Sequence, residues 1–374
     1  MMNNAARLSF ALVVLLAAGR ASATDAAPAE ATTVAAAEPT KVAAAETKPL
    51  DVAPAPPQKS LSYGVGLRVG GGETTQTGAN TVGVSSLDVR PYISGRIHPM
   101  VKFSANLDLN NTDASRIHVL DAVAQFEPDP LLNVWFGRFL PPSDRANLSG
   151  PYYQNAWLYP DAVNAYPSIF AGRDDGVALW GQTGGGQFKY QGGFFTTDTN
   201  TPAKQGIYAG RVTYNFLDPE PGYYNSSTYY GSKEILAVGG ALQYQRNGVP
   251  TATGRSDLLG FNFDALFERP MLGGDALSLE GAYYNFEQGN QGQSFFALAS
   301  YLVGQKLGIG KVQPMVRFQQ LMPTGGGSAT HVVDGGLNYI LDGHNARLAF
   351  VVQHRDVPTA PSTTTFQFGV QIQE

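Results

Sequence analysis

The C-terminal segment STTTFQFGVQIQ (362–373) alternates with a period of two. Phe366, Phe368, Val370 and Ile372 fall on one face, and Thr365, Gln367, Gly369, Gln371 and Gln373 on the other. A period of two is the side-chain period of a β-strand. The pattern recurs along the chain. In 61–69, Leu61, Tyr63, Val65, Leu67 and Val69 oppose Gly64, Gly66 and Arg68. In 101–109, Val101, Phe103, Ala105, Leu107 and Leu109 oppose Lys102, Ser104, Asn106 and Asp108. Segments 207–216, 259–268 and 346–353 read the same way, with Arg211, Asp264 and Arg347 on their polar faces. Such stretches run to about ten residues, whereas strands of soluble proteins usually have five or six. Long alternating strands with ionised residues mid-strand specify a transmembrane antiparallel β-barrel.

About sixteen such stretches fit between residue 61 and the C-terminus, leaving roughly nine residues for each connection. They lie near 61–70, 84–97, 101–110, 116–126, 131–139, 176–182, 187–196, 206–216, 234–245, 257–268, 276–287, 294–304, 310–320, 330–341, 345–355 and 362–373. A barrel of that size leaves an aqueous interior, where eight strands would fill it with side chains. The other reading of an alternating exported chain is a secreted β-sandwich or β-helix, whose strands are shorter.

The N-terminus fits export. Arg7 precedes the apolar run LSFALVVLLAA (8–18), and Ala21-Ser22-Ala23 resembles a signal-peptidase site. The run is too short to span a bilayer as a helix. Residues 1–23 therefore read as a signal peptide. Residues 24–60 hold six prolines, no aromatic residue and the near-repeat VAAAEPTK/VAAAETKP, the composition of a flexible periplasmic linker. Residues 61–374 are the barrel domain. The expected location is the outer membrane of a Gram-negative bacterium, in contact with its lipid.

Composition removes several functions. The chain has no cysteine, which excludes thiol catalysis and cysteine-ligated metals. A net charge of −5 leaves no basic footprint for nucleic acid. The five histidines, His98, His118, His331, His344 and His354, form no H-E-x-x-H motif, and no G-x-S-x-G occurs. Gly64-x-Gly66 lacks the spacing of a dinucleotide fingerprint and reads as small interior residues. No enzyme activity, cofactor or metal is expected.

The longest stretch without alternation is 140–173, LPPSDRANLSGPYYQNAWLYPDAVNAYPSIFAGR. It is too aromatic for disorder, and a barrel interior offers the apolar surface it needs. It reads as a loop folded inward to narrow the pore; an outward cap is the alternative. The expected constriction residues are Arg138, Asp144, Arg145, Tyr152, Tyr153, Trp157, Arg173 and Asp174, with Arg145 and Arg173 the cations nearest a solute. Arg138 shares parity with the apolar Val134 and Phe136, so an interior position requires a bulge near Gly137. The expected lumen wall carries Arg68, Arg90, Lys102, Arg211, Arg317 and Arg347. From Leu61 onward, 14 Arg and 6 Lys stand against 17 Asp and 8 Glu, giving −5; on the polar strand face, Arg68, Arg90, Arg96, Lys102, Arg211, Arg317 and Arg347 nearly balance Asp88, Asp108, Asp121, Asp264, Glu280 and Asp334.

Gly137-Arg138-Phe139, Pro142-Ser143-Asp144-Arg145-Ala146-Asn147 and Ser149-Gly150-Pro151 together resemble the phosphate-selective porin O/P family and its short-chain amide/urea branch. Gly172-Arg173-Asp174-Asp175-Gly176, Trp180-Gly181, Lys189-Tyr190 and RVTYNFLDPEPGYYNSSTYY (211–230) continue the resemblance, which spans about 61–374. It implies a sixteen-stranded, homotrimeric outer-membrane channel whose third loop enters the lumen. The chain departs from that pattern in ending on Glu374 rather than an aromatic residue, and in lacking dense Arg/Lys arrays. The expected function is passive diffusion of small hydrophilic solutes or ions. The alternatives are an anion- or phosphate-preferring pore, and an adhesin or hydrolase built on a barrel.

Overall fold

A computed structural model describes residues 59–110, 117–196, 205–286 and 292–374. The expected signal peptide and nearly all of the expected linker lie outside these residues. Sixteen antiparallel strands, each paired with its neighbours in sequence, form a closed barrel sealed by β1 against β16. In order they are β1 (Ser60–Gln76), β2 (Ala79–His98), β3 (Val101–Asn110), β4 (Ile117–Asp129), β5 (Leu132–Phe139), β6 (Asp174–Thr183), β7 (Phe188–Phe195) and β8 (Ile207–Asn215). The second half continues with β9 (Ile235–Thr251), β10 (Gly254–Pro270), β11 (Ala276–Phe286), β12 (Gly292–Leu302), β13 (Lys311–Met322), β14 (Thr330–Asp342), β15 (Ala346–Asp356) and β16 (Thr363–Gln373). Each alternating stretch of the sequence holds one strand. Several run past the periodic core: β1–β2 and β9–β10 are extended hairpins closed by residues 77–78 and 252–253.

Closure leaves no strand edge along the shared length, so the backbone bonds are met within the wall. Period-two side chains then divide between an outer and an inner face. On β16, Phe366, Phe368 and Ile372 are exposed outward, while Gln367 and Gln371 are buried inward. Val212 on β8 and Phe263 on β10 also face out, against Arg211 and Asp264 inside. Between β3 and β4 the register slips at Asn106/Leu107, and Leu120 and Asp121 both become buried.

The start of β1, Ser60, and the end of β16, Gln373, lie at one end of the barrel, here the terminal end. Connections after odd-numbered strands lie at the opposite, loop end. Residues 140–173, between β5 and β6, enter from the loop end and carry a helix, α1 (Arg145–Ser149). Residues 216–234, between β8 and β9, fold in from the terminal end.

Candidate functional site: a lane between the wall and two inward segments

The loop 140–173 lies inside the barrel because wall side chains bind its backbone carbonyls. Arg211 Nη1 donates to Ser143 O at 2.9 Å, and Arg347 Nη1 to Gln154 O at 2.7 Å. Arg68 Nη2 donates to Trp157 O at 2.9 Å, and Arg317 Nη1 to Leu158 O at 2.8 Å. Asn338 and Gln371 add bonds to Asn155 O and Tyr152 O, each at 3.0 Å. Each bond meets a buried carbonyl that would otherwise lose its hydration. Glycines on the wall admit the loop's aromatic rings. A Cβ at Gly66 would lie 2.5 Å from the Tyr152 hydroxyl, and one at Gly369 would enter the Trp157 ring. Arg68 Cζ stands 4.0 Å over that ring.

Inside the loop, Asp144 caps α1, accepting from Ala146 N at 3.1 Å and Asn147 N at 3.3 Å. Burial pushes its carboxyl up to about 6, against the lowering effect of the hydrogen bond from the Tyr284 hydroxyl. Arg145 does not face open space. It is 1% exposed and donates to both oxygens of Glu220, at 2.7 Å each, and to Ser226 O at 2.7 Å. Burial alone would raise the Glu220 carboxyl, but the charge and bonds of Arg145 hold it down at about 2. This ion pair ties the loop to the second inward segment, 216–234.

That segment is held from below. Tyr223 stacks on Trp135 at 4.6 Å, and its hydroxyl donates to Leu140 O at 3.0 Å. Ser227 N donates to Tyr153 O at 3.0 Å. His344, in the turn after β14, bridges the two segments, with Nδ1 3.2 Å from Tyr152 O and Nε2 3.0 Å from Thr228 O. Burial, followed by the charge of Arg347, lowers its imidazole to about 4.

The expected constriction residues therefore divide. Arg138 is on the outer face. The register pairs Val123 with Gly137 and Ala122 with Arg138 without a slip, so no bulge turns Arg138 inward. It stays on the side of Phe136 and pairs with Asp175 at 2.6 and 2.8 Å, beside an outer-face hollow of ≈ 480 Å³. Asp144, Arg145, Tyr152, Trp157 and Asp174 are inside but buried, so their side chains hold the loop rather than present it to a solute. Arg173 is inside, 3.3 Å from Asp121, and Tyr153 remains 45% exposed. Of the expected wall cations, Arg68, Arg211, Arg317 and Arg347 do face inward, but all are buried under the loop.

What remains open is a lane. Inward-facing side chains that keep access to solvent lie on β2, β3 and β4: Asp88, Arg90, Tyr92, Ser94, Ser104, Asn106 and Gln125 along the wall, with Lys102 and Glu127 at its terminal mouth. The loop from Tyr152 to Tyr159 faces them, as shown by Arg90 Cζ lying 5.9 Å from the Tyr152 ring centre. Most charges along this wall are paired: Arg90 with Asp108 at 3.1 Å, Lys102 with Glu127, and Arg173 with Asp121, while Asp88 stands outside these ion pairs.

No protein-family profile matches the chain, and no curated protein sequence does. Solved structures match over most of its length. OprB of Pseudomonas putida superposes with a TM-score of 0.63 at 10% identity, covering 84% of this chain and 94% of that one. OmpF of Salmonella typhi gives 0.57 at 10% identity, covering 84% and 97%. The anion-selective porin from Comamonas acidovorans gives 0.55 at 12% identity, covering 85% and 100%. At such identities the likeness is one of fold: the chain has the sixteen-stranded architecture of outer-membrane porins.

The sequence reading missed the segment 216–234. Its signal was present: a long, tyrosine-rich stretch at the barrel end where the other connections are short.

Proposed function

We propose that the chain is an outer-membrane porin, a passive channel for small hydrophilic solutes that catalyses no reaction. The observation carrying this reading is the lane: a closed barrel in which, among the described residues, the solvent-accessible polar side chains of the inner wall at mid-height lie on β2–β4, opposite an inward loop. The outward residues Phe368, Val316 and Phe263 are apolar and exposed, as contact with lipid requires. Residues 1–23 act as the export signal and 24–60 as a periplasmic linker, so the terminal end faces the periplasm. A homotrimer is the assembly we favour, in keeping with the motif resemblance to the phosphate-selective porin O/P family and with a structurally similar barrel, OmpT of Vibrio cholerae, which occurs in a trimer form.

The pairing of lane charges favours uncharged polar solutes, or weak ion selectivity, over a phosphate-preferring pore. Of the inward arginines without an ion pair among the described residues, Arg68 and Arg347 are buried under the loop, and Arg96 lies at the terminal mouth, bonded to Pro99 O, away from the loop. A strong anion filter needs accessible cations at the constriction. Reconstitution in planar bilayers tests the reading. Stable open steps with a reversal potential near zero in a KCl gradient support it. No open conductance supports an adhesin or hydrolase instead, and a large anion-selective potential supports the phosphate-type pore.

A further inference from the structure

The segment 216–234 covers the inner wall of β5–β7, the part of the barrel adjoining the lane. Lys189 and Gln191 on β7 point inward and are polar, as residues lining water are, yet they are only 3% and 7% exposed. The segment covers them: Lys189 Nζ donates to Tyr224 O at 3.2 Å and Gln191 Nε2 to Tyr223 O at 2.6 Å. Its other end is fixed at one carboxylate. Glu268 on β10, fully buried, accepts from Thr228 Oγ1 at 2.7 Å, Tyr229 N at 3.0 Å and Gly231 N at 2.8 Å. It also accepts from Ser278 Oγ at 2.8 Å on the adjacent strand. The backbone is bent to bring these amides together: Tyr230 has φ 51°, a left-handed conformation that a residue with a Cβ adopts at a cost. A buried carboxylate met by amide and hydroxyl donors, with no ion pair among the described residues, is a fixed anchor point rather than a mobile surface charge.

We propose that Glu268 is a positioning residue that holds 216–234 as a second constricting element, and that this element closes a second lane along β5–β7. Together with the loop it reduces an otherwise open lumen to the single lane against β2–β4, so solute size is set from both ends of the barrel. The proposal rests on the channel reading for its electrical arm and on geometry alone for its anchoring arm.

The chain lacks cysteine, so Ser104→Cys places one thiol on the β2–β4 lane. In this background, a bulky cationic thiosulfonate is expected to block most of the current. Adding Glu268→Ala, or deleting residues 222–230, opens a parallel path, so conductance rises about twofold and a substantial current survives modification. Glu268→Gln keeps one carbonyl acceptor for the amides and gives a smaller rise, which a generally damaged barrel would not. Complete block in both Glu268→Ala and the deletion, at parental conductance, overturns the second lane. Limited proteolysis within 216–234 reads the anchor without conduction. Faster cleavage in Glu268→Ala than in the unsubstituted chain supports it, and equal cleavage overturns it. An unsubstituted chain with no conductance removes the channel reading and the second lane with it, while the proteolysis arm still decides the anchor.

Discussion

Replacing Arg145 by methionine should release the inward segment. Both members of the Arg145–Glu220 pair are 1% exposed, and Arg145 makes three bonds of 2.7 Å, two to Glu220 and one to Ser226 O. After Arg145→Met, Glu220 keeps the hydrogen bond from the Tyr229 hydroxyl at 2.5 Å, and a buried carboxylate is left without its paired cation. Removing one partner of such a pair costs about 3–5 kcal/mol. That corresponds to a rise of roughly 10²- to 4 × 10³-fold in the population in which 216–234 is detached, until detachment is complete. Native-state proteolysis of folded protein in detergent reads that population as a cleavage rate within 216–234. The double variant Arg145→Met/Glu220→Gln removes the stranded charge and should recover at least about tenfold of the loss. Additive single and double effects, or unchanged cleavage in Arg145→Met, would refute the claim that this pair ties the two inward segments together.

Three further outcomes follow from the same geometry. Phe368→Arg places a cation on the outer face and should cost about 2–4 kcal/mol near the bilayer midplane. Ser104→Arg points into the lane and should fold normally while lowering conductance; equal heat-modifiable folding of both variants on gels would contradict the assigned faces. Lys102→Glu leaves two acids facing each other at the terminal mouth, where Lys102 now pairs with Glu127, and should move the reversal potential toward cations; an unmoved potential places the lane elsewhere. The His344 imidazole, lowered to about 4 where it is packed, favours the packed state at neutral pH. That contribution is lost as pH falls from the ordinary histidine range of about 6.5 toward 4. Proteolysis near Tyr152 and Thr228 should therefore rise over that window in the native chain, measured with an acid-active protease, and more weakly in His344→Phe; identical profiles would remove His344 from the contact.

The fold was legible because its signal is local and repeated. A period of two needs no partner to be read, and every alternating stretch became a strand whose apolar face points outward. The loop at 140–173 was legible for the opposite reason, as the longest break in that period. The site was only half legible. Parity placed Arg68, Arg211, Arg317 and Arg347 inside, but it carries no information about what covers them. Their burial comes from carbonyls of the loop, which lie far away in sequence. Arg138 shows how parity can be overruled wrongly: its alternation with Val134 and Phe136 pointed outward, and the β4–β5 register, continuous from Phe126↔Val134 to Ala122↔Arg138, keeps it there. Gln371 makes the same point within the last strand. It faces inward as its alternation requires, yet it is fully buried because its amide holds Tyr152 O and His344 O.

The position of the lane is the claim on which the account turns, and cysteine accessibility tests it most directly. Ser104→Cys on β3 and Ser300→Cys on β12 both point inward, but Ser300 is 3% exposed and bonded to Asn155 of the loop at 2.8 Å. In single-channel recordings, a bulky cationic thiosulfonate should abolish most of the current through Ser104→Cys within seconds and leave Ser300→Cys conducting. Rapid block at position 300 with none at 104 would put the open path on the opposite wall and contradict the account.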